Sequence, residues 1–198
     1  AGLNANVKSC LAAREELFHD QPRADVYLGL VDRFGLKSGA KASEVRIAGF
    51  TAFHHREIKE AIHLFPDAAA TIQKLKTKFK VSLVTSGDPQ TQQKKLDLLK
   101  VADLIEDIHI VDIRTVHTKQ KAFKDILRSS KLRPYEFASI GNRLDAEIKE
   151  AKELGMKTVF VQKGEYIHLT PTSDLEVPDA RITNLRELIP LFFAGEGT

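Results

Sequence analysis

From Pro66 onward, short β-branched apolar runs alternate with amphipathic stretches, and this alternation limits the fold more than any single motif. Residues 67–79 read as a helix, 80–84 as a strand, 89–99 as a helix, 108–111 as a strand and 119–128 as a helix. Residues 137–140 and 157–161 then read as strands around a helix at 145–154, which Gly155 terminates. Strands separated by helices cannot pair as hairpins. Right-handed crossovers between them give a mainly parallel sheet with helices on both faces. Residues 164–179, with Pro171 and Pro178, read as an irregular segment, Arg181 and Ile182 as a short edge strand, and 185–193 as a closing helix. The expected class is α/β, with a Rossmann-like core.

Residues 1–65 lack this alternation and read as helical. Leu11, Glu15 and Phe18 fall at helical spacing, 24–34 stops at Gly35, and 43–53 and 56–64 are further candidate helices. A small all-helical domain over 1–65 and an α/β domain over 66–198 follow, with the boundary near Phe65 and Pro66. Bases and acids nearly balance, 30 against 27, for a net charge of +3. There is no compact basic block and no Trp, so nucleic-acid binding is not expected. The lysines of 74–80 and 94–100 are interleaved with apolar residues (Ile72, Leu75, Phe79; Leu96, Leu99) and read as solvated helix faces. A mildly basic surface instead favours a small phosphorylated molecule. Cys10 is alone, which rules out an internal disulfide and points to a reduced, cytoplasmic setting; beside Val7 and Leu11 it reads as a packing residue. No run reaches transmembrane length, and no signal-peptide pattern opens the chain. The first residue is Ala1, which suggests a processed or truncated product.

Three segments carry groups suited to chemistry. Thr85, Ser86 and Gly87 lie between an apolar strand and a helix beginning near Pro89, where amide hydrogens and the positive helix end hold phosphate. The same residues also suit an ordinary cap and turn. Asp145 and Glu147, with Asn142, follow the strand ending in Gly141 and offer oxygen ligands for a hard cation such as Mg²⁺. Equally, Asp145 can cap the helix and Glu147 can be a first-turn acid; in a regular helix the two do not share a face. Lys119 and Lys121 open a helix at the end where the dipole disfavours cations, so either one turns inward or both are solvated. The seven histidines form no metal signature, and neither a dinucleotide loop nor a phosphate-binding Walker loop is present.

Taken in order, Val84-Thr85-Ser86-Gly87, the lysine-led helix 119–128, Ile140-Gly-Asn-Arg-Leu-Asp-Ala-Glu-Ile148 and Glu153-Leu-Gly-Met-Lys-Thr-Val159 resemble the haloacid dehalogenase-like hydrolases, in particular phosphatase-like members with a helical cap. The resemblance runs almost continuously from Pro66 to Leu188 and extends into the last strand and helix. It implies that Ser86, or Thr85 one register away, binds phosphoryl oxygens with Gly87 alongside. It implies that Lys119, or less readily Lys121, orients the nucleophile and offsets charge. Asn142 and Asp145 or Glu147 would hold Mg²⁺, and the cap would select a small phosphorylated metabolite.

Two departures follow. Asn142 stands where the family usually has an aspartate. More importantly, the family's nucleophile is an aspartate at the end of a first strand, followed two residues later by a second, and no Asp-x-Asp-x-Thr behind an apolar strand occurs in these 198 residues. Asp32, after Val26-Tyr-Leu-Gly-Leu-Val31, is the nearest rival, although Arg33-Phe34-Gly35 reads as a helix end. In the family that first strand lies in the middle of the sheet. Without it, two strands face each other with unpaired backbone groups, and a segment exchange or homodimer is one way to fill the gap. The 198 residues are therefore expected to be inactive, or nearly so, on their own. The alternative is a degenerate member that binds a ligand or partner without turnover.

Overall fold

The computed structural model of the chain describes residues 2–54, 61–112, 115 and 118–194. It divides into two compact units, Ala1–Glu57 and Ile58–Thr198. The expected boundary at Phe65 and Pro66 falls inside the second unit. The expected helix at 56–64 lies partly outside the described residues, and Ala61 to Leu64 are not helical.

The first unit, the helical cap, is built from α1 (Val7–Asp20), α2 (Val26–Phe34) and α3 (Ala42–His54). Asn6 caps α1 by accepting the Ser9 N–H, and Asp25 caps α2 by accepting those of Tyr27 and Leu28. Gly35 ends α2 with φ of 69°, a left-handed turn that glycine adopts without strain. Leu3, Ala13, Leu30 and Val45 form the core of this unit, and Cys10 packs against it as a half-buried side chain. The Arg14 guanidinium lies 4.2 Å over the Phe53 ring. Asp32 sits within α2, so no strand leads into it and it does not take the position of a strand-end nucleophile.

The second unit confirms the expected class: an α/β core in which every strand pairing among the described residues is parallel. Its elements are α4 (Ala68–Lys76), β1 (Ser82–Gly87), α5 (Pro89–Leu98), β2 (Asp107–Asp112), α6 (Gln120–Ser129), β3 (Ala138–Gly141), a π-helical turn (Leu144–Ile148) running into α7 (Lys149–Glu153), β4 (Lys157–Val161), β5 (Ala180–Ile182) and α8 (Leu188–Phe193). Among the described residues these strands make two ladders, β1–β2 and β3–β4–β5. β1 runs further than its apolar stretch suggests, so Thr85, Ser86 and Gly87 are the last residues of the strand itself.

The two ladders share helices. On one face Ile72 of α4 packs with Leu83 of β1, while Leu75 of the same helix packs with Val159 of β4 and Ile182 of β5. Phe123 of α6 forms a cluster with Ala151 and Met156, against which Val84 of β1 and Phe137 just ahead of β3 both pack. Val84 and its neighbour Leu83 thus join different clusters, as the two-residue period of a strand requires. α8 closes the β5 side, with the Phe192 and Phe193 rings edge-on to Phe79 at 5.7 and 5.8 Å. No helix among the described residues is long and apolar enough to cross a membrane.

β5 is fastened to β4 by more than its short ladder. Thr158 is fully buried; its N–H and hydroxyl both donate to Asp179 Oδ2, at 2.7 and 2.9 Å, and its hydroxyl accepts from the Asp179 N–H at 3.1 Å. Burial pushes the Asp179 carboxyl up, but these bonds outweigh it and hold the group below the ordinary aspartate range. Thr158→Val keeps the volume and removes only the two hydroxyl bonds, since Asp179 Oδ2 keeps the residue-158 N–H and the Asp179 N–H keeps the residue-158 carbonyl at 3.1 Å. The expected loss is about 1–3 kcal/mol of unfolding free energy at neutral pH, read by urea denaturation. An unchanged midpoint would mean that the bonds contribute nothing net.

Candidate active site

The carboxyl ends of β1 and β3 carry the groups singled out in the sequence. At the end of β3, Gly141 is required by close approach: a Cβ there would sit 2.8 Å from the Cβ of Glu147. The chain then turns through Asn142 and Arg143 into the π-helical turn, which the fully buried Leu144 and Ile148 anchor in the core. The Ile148 N–H reaches the Arg143 carbonyl at 3.2 Å, the wider spacing of a π-turn. This turn sends its two acids to different partners.

Glu147 goes to Lys119. The Lys119 ammonium pairs with Glu147 Oε1, and the two side chains are only 15% and 13% exposed. The second carboxylate oxygen, Oε2, is buried without a hydrogen-bond partner among the described residues. Lys119 sits immediately ahead of α6, and its backbone N–H donates to Glu150 Oε2 at 2.7 Å. Acids at 147 and 150, three residues apart on a helical run, therefore hold one lysine by its tip and by its backbone. Lys121, by contrast, is 75% exposed and pairs with Asp125 at 2.9 Å, the solvated alternative considered for it.

Asp145 goes to Arg143. The guanidinium donates to both carboxylate oxygens, at 3.0 and 2.8 Å, and lies 4.5 Å over the Tyr166 ring. Burial works against the Arg143 charge, but the Asp145 bonds outweigh it and bind its proton more firmly than usual. Burial pushes the Tyr166 hydroxyl up. Asp145 neither caps the helix, where Arg143 holds the cap position, nor touches Lys119. The Asn142 amide donates to the Lys163 carbonyl at 3.0 Å and ties the end of β3 to the loop after β4. Among the described residues no three His, Cys, Asp or Glu side chains gather as a metal cluster.

At the end of β1 the local bonds are internal. Thr85 Oγ1 donates to Gln92 Oε1 at 3.3 Å, and Gln92 Nε2 donates to the Ser86 carbonyl at 3.2 Å. Asp88, nearly fully buried, caps α5 by accepting the Thr91 N–H at 2.9 Å. The positive end of α5 thus already has a carboxylate on it, which competes with a phosphate at that helix end. No hydrogen bond joins Thr85, Ser86 or Gly87 to Lys119 or Glu147 among the described residues.

Glu150 and the Arg143–Tyr166 stack are absent from the sequence-based set. Glu150 was legible as the acid one turn beyond Glu147. Arg143 gave no signal, since its partner is two residues along an irregular turn and its ring lies across a loop.

Comparison with known proteins identifies the family. The profile of the haloacid dehalogenase-like hydrolases matches residues 29–161. A glyceraldehyde 3-phosphate phosphatase of Methanopyrus kandleri is 30% identical over 153 residues, covering 76% of this chain and 66% of that protein. That of Pyrococcus furiosus is 31% identical over 156 residues, covering 76% and 63%. The chain thus spans somewhat less than two thirds of these relatives. Among solved structures, a HAD phosphatase from Thermococcus onnurineus superposes with a TM-score of 0.54 at 20% identity, covering 91% of each chain. A 2-haloacid dehalogenase from Pseudomonas syringae gives 0.57 at 19%, covering 98% of this chain and 83% of that one. One fold is thus shared by a phosphatase and a dehalogenase, so these structures speak to the fold and not to the reaction.

Burial, and then the nearby Glu147 charge, push the Glu150 carboxyl up, against the Lys119 N–H. A carboxyl with a raised folded value contributes stability below its unfolded value and loses it as pH rises through the folded one. Glu150→Gln keeps an oxygen for the Lys119 N–H and removes that loss. Its melting temperature relative to the parent should climb as pH rises through the ordinary glutamate range and level off once pH passes the raised folded value. A gap that stays flat or narrows across that range would contradict the burial argument.

Proposed function

The chain belongs to the haloacid dehalogenase-like hydrolase family, and from that premise we propose that its α/β unit is the metal- and phosphate-holding part of a phosphatase site for a small phosphorylated metabolite. The observation that carries this reading is the shielded Lys119–Glu147 pair, with a buried carboxylate oxygen left over beside it. The glyceraldehyde 3-phosphate phosphatases that match in sequence support the phosphate class over a halide, and make a three-carbon phosphate the first substrate to try.

The donor set fits Mg²⁺ in a limited way. Glu147 Oε2 is an oxygen without a partner, and Asn142 adds a neutral amide oxygen once its NH₂ is engaged by Lys163. One carboxylate, one amide and waters make an ordinary Mg²⁺ environment. Asp145, with both oxygens on Arg143, is not part of it in this arrangement. When bound, the ion would neutralise charge on the phosphoryl oxygens. The chain's own residues do the rest: Lys119 supplies a fixed positive charge whose position Glu147 and Glu150 set. Ser86 or Thr85 offers a hydroxyl at the end of β1, where Gly87 makes room for the Gln92 amide.

These 198 residues hold no aspartate pair behind an apolar strand. Turnover by them alone is accordingly expected to be weak, and binding is the more direct readout. A second reading, ligand binding without turnover, is favoured by one observation: Asn142 and Asp145 are both engaged internally, which leaves a single carboxylate for metal.

The test is calorimetric titration of the 198-residue protein with small phosphomonoesters, glyceraldehyde 3-phosphate included, with and without Mg²⁺, alongside phosphate-release assays. Mg²⁺-assisted binding that weakens at least about tenfold, or about 1.4 kcal/mol, in Lys119→Met and in Glu147→Gln is the expected result. Binding with no release supports the second reading. Strong Mg²⁺-dependent release would overturn the expectation of weak turnover. Absence of both binding and release would sink the phosphatase reading.

A further inference from the structure

Two buried side-chain polar atoms have no hydrogen-bond partner among the described residues. One is Glu147 Oε2 at the candidate site, and the other is Arg14 Nε in the helical cap. Arg14 is half-buried on α1 and makes no hydrogen bond or ion pair among the described residues. Its guanidinium instead lies 4.2 Å over the Phe53 ring of α3 and 5.7 Å over the Phe18 ring, one turn along α1. The other two arginines of the cap helices are matched to acids, Arg33 to Glu16 and Arg46 to Asp25. Stacking on a ring does not use the N–H donors, which point outward in the guanidinium plane. A buried charged donor without an acceptor is costly. Packing of α1 on α3 thus accounts for the stacked rings and not for the unpaired N–H.

The same chain shows what a stacked guanidinium of this kind takes. Arg143 lies 4.5 Å over the Tyr166 ring, and its Nε and Nη2 donate to the two oxygens of Asp145 at 3.0 and 2.8 Å. There the ring covers a face and the carboxylate takes the edge. We propose that Arg14, with Phe53 and Phe18, is a binding site for the carboxylate of a small organic acid, one oxygen accepting from Nε and the other from Nη2. The guanidinium fork matches a planar carboxylate with two parallel N–H···O bonds. One negative charge neutralises the guanidinium, whereas a dianionic phosphate would bring surplus charge against two phenyl rings. The ligand class is therefore a carboxylate. Nε is shut off from solvent, so an acceptor that reaches it is slim, which favours a small acid over a side chain carried on a folded partner. The proposal concerns the cap unit by itself and does not rest on the phosphatase reading.

The probe is acetate, added to the 198-residue protein at neutral pH and constant ionic strength, with inorganic phosphate and chloride as comparison anions. The arginine side-chain Nε–H signals are followed by NMR, and the Arg14 signal is identified by its loss in Arg14→Lys. That signal should move saturably with acetate, at a half-point at least about tenfold lower than with phosphate. The Arg33, Arg46 and Arg143 signals, whose groups already hold carboxylates, should stay in place. Melting temperature gives a second measurement, since a ligand of the folded state raises it. Acetate should raise it more in the parent than in Arg14→Lys, which keeps a cation beside the rings and lacks the fork. Four results would overturn the proposal. The first is no movement of the Arg14 signal with acetate, and the second is equal movement of the other arginine signals. The third is saturation by phosphate or chloride as readily as by acetate. The fourth is an acetate effect on melting that survives intact in Arg14→Lys. If the Arg14 signal instead moves with protein concentration and no acetate, its acceptor is a carboxylate of a second copy and the small acid is the wrong ligand.

Discussion

The α/β unit is held together across an interval that its own ladder hydrogen bonds do not cross. β1–β2 and β3–β4–β5 are separate ladders among the described residues, so side-chain packing on their two faces has to do what backbone pairing does elsewhere. Ile72 and Leu75 of α4 reach one ladder each, and α6 sets Phe123 into a cluster that touches both sides. Non-directional burial can hold two ladders in one unit.

The same arrangement places the candidate site. Lys119 lies at the start of α6 and Glu147 in the turn after β3, so their pairing joins a helix that bridges the two ladders to the end of one of them. Glu150 fixes the lysine backbone from the next turn. Few charges are involved, and they are shielded, which raises the weight of each one. One carboxylate oxygen of Glu147 is left over, and a cation or a donor on a ligand would satisfy it.

Much of this was legible in the sequence, and the misses have physical causes. The α/β class followed from alternation that no other architecture produces, and the family from the order of its motifs. β1 was read too short because Thr85, Ser86 and Gly87 interrupt its apolar run, although backbone pairing with Ile110, Val111 and Asp112 carries the strand through them. Lys119 was recognisable as a cation at the wrong end of a helix. The choice between Asp145 and Glu147 was not decidable from spacing, because it depends on a π-turn that a regular helical period does not anticipate. Arg143 decides it locally: a guanidinium stacked on Tyr166 claims both oxygens of Asp145 and leaves Glu147 for the lysine. Asp32 had the right residue type after an apolar run, but that run is the helix α2.

The central claim is that Glu147, and not Asp145, is the acid coupled to Lys119. A double-mutant cycle between Lys119→Met and Glu147→Gln, read by urea denaturation at neutral pH, measures it directly, with Lys119→Met and Asp145→Asn as the control cycle. The expected result is a coupling of about 1 kcal/mol or more for the first pair and none beyond about 0.5 kcal/mol for the second. Equal couplings, or a larger one to Asp145, would contradict the account.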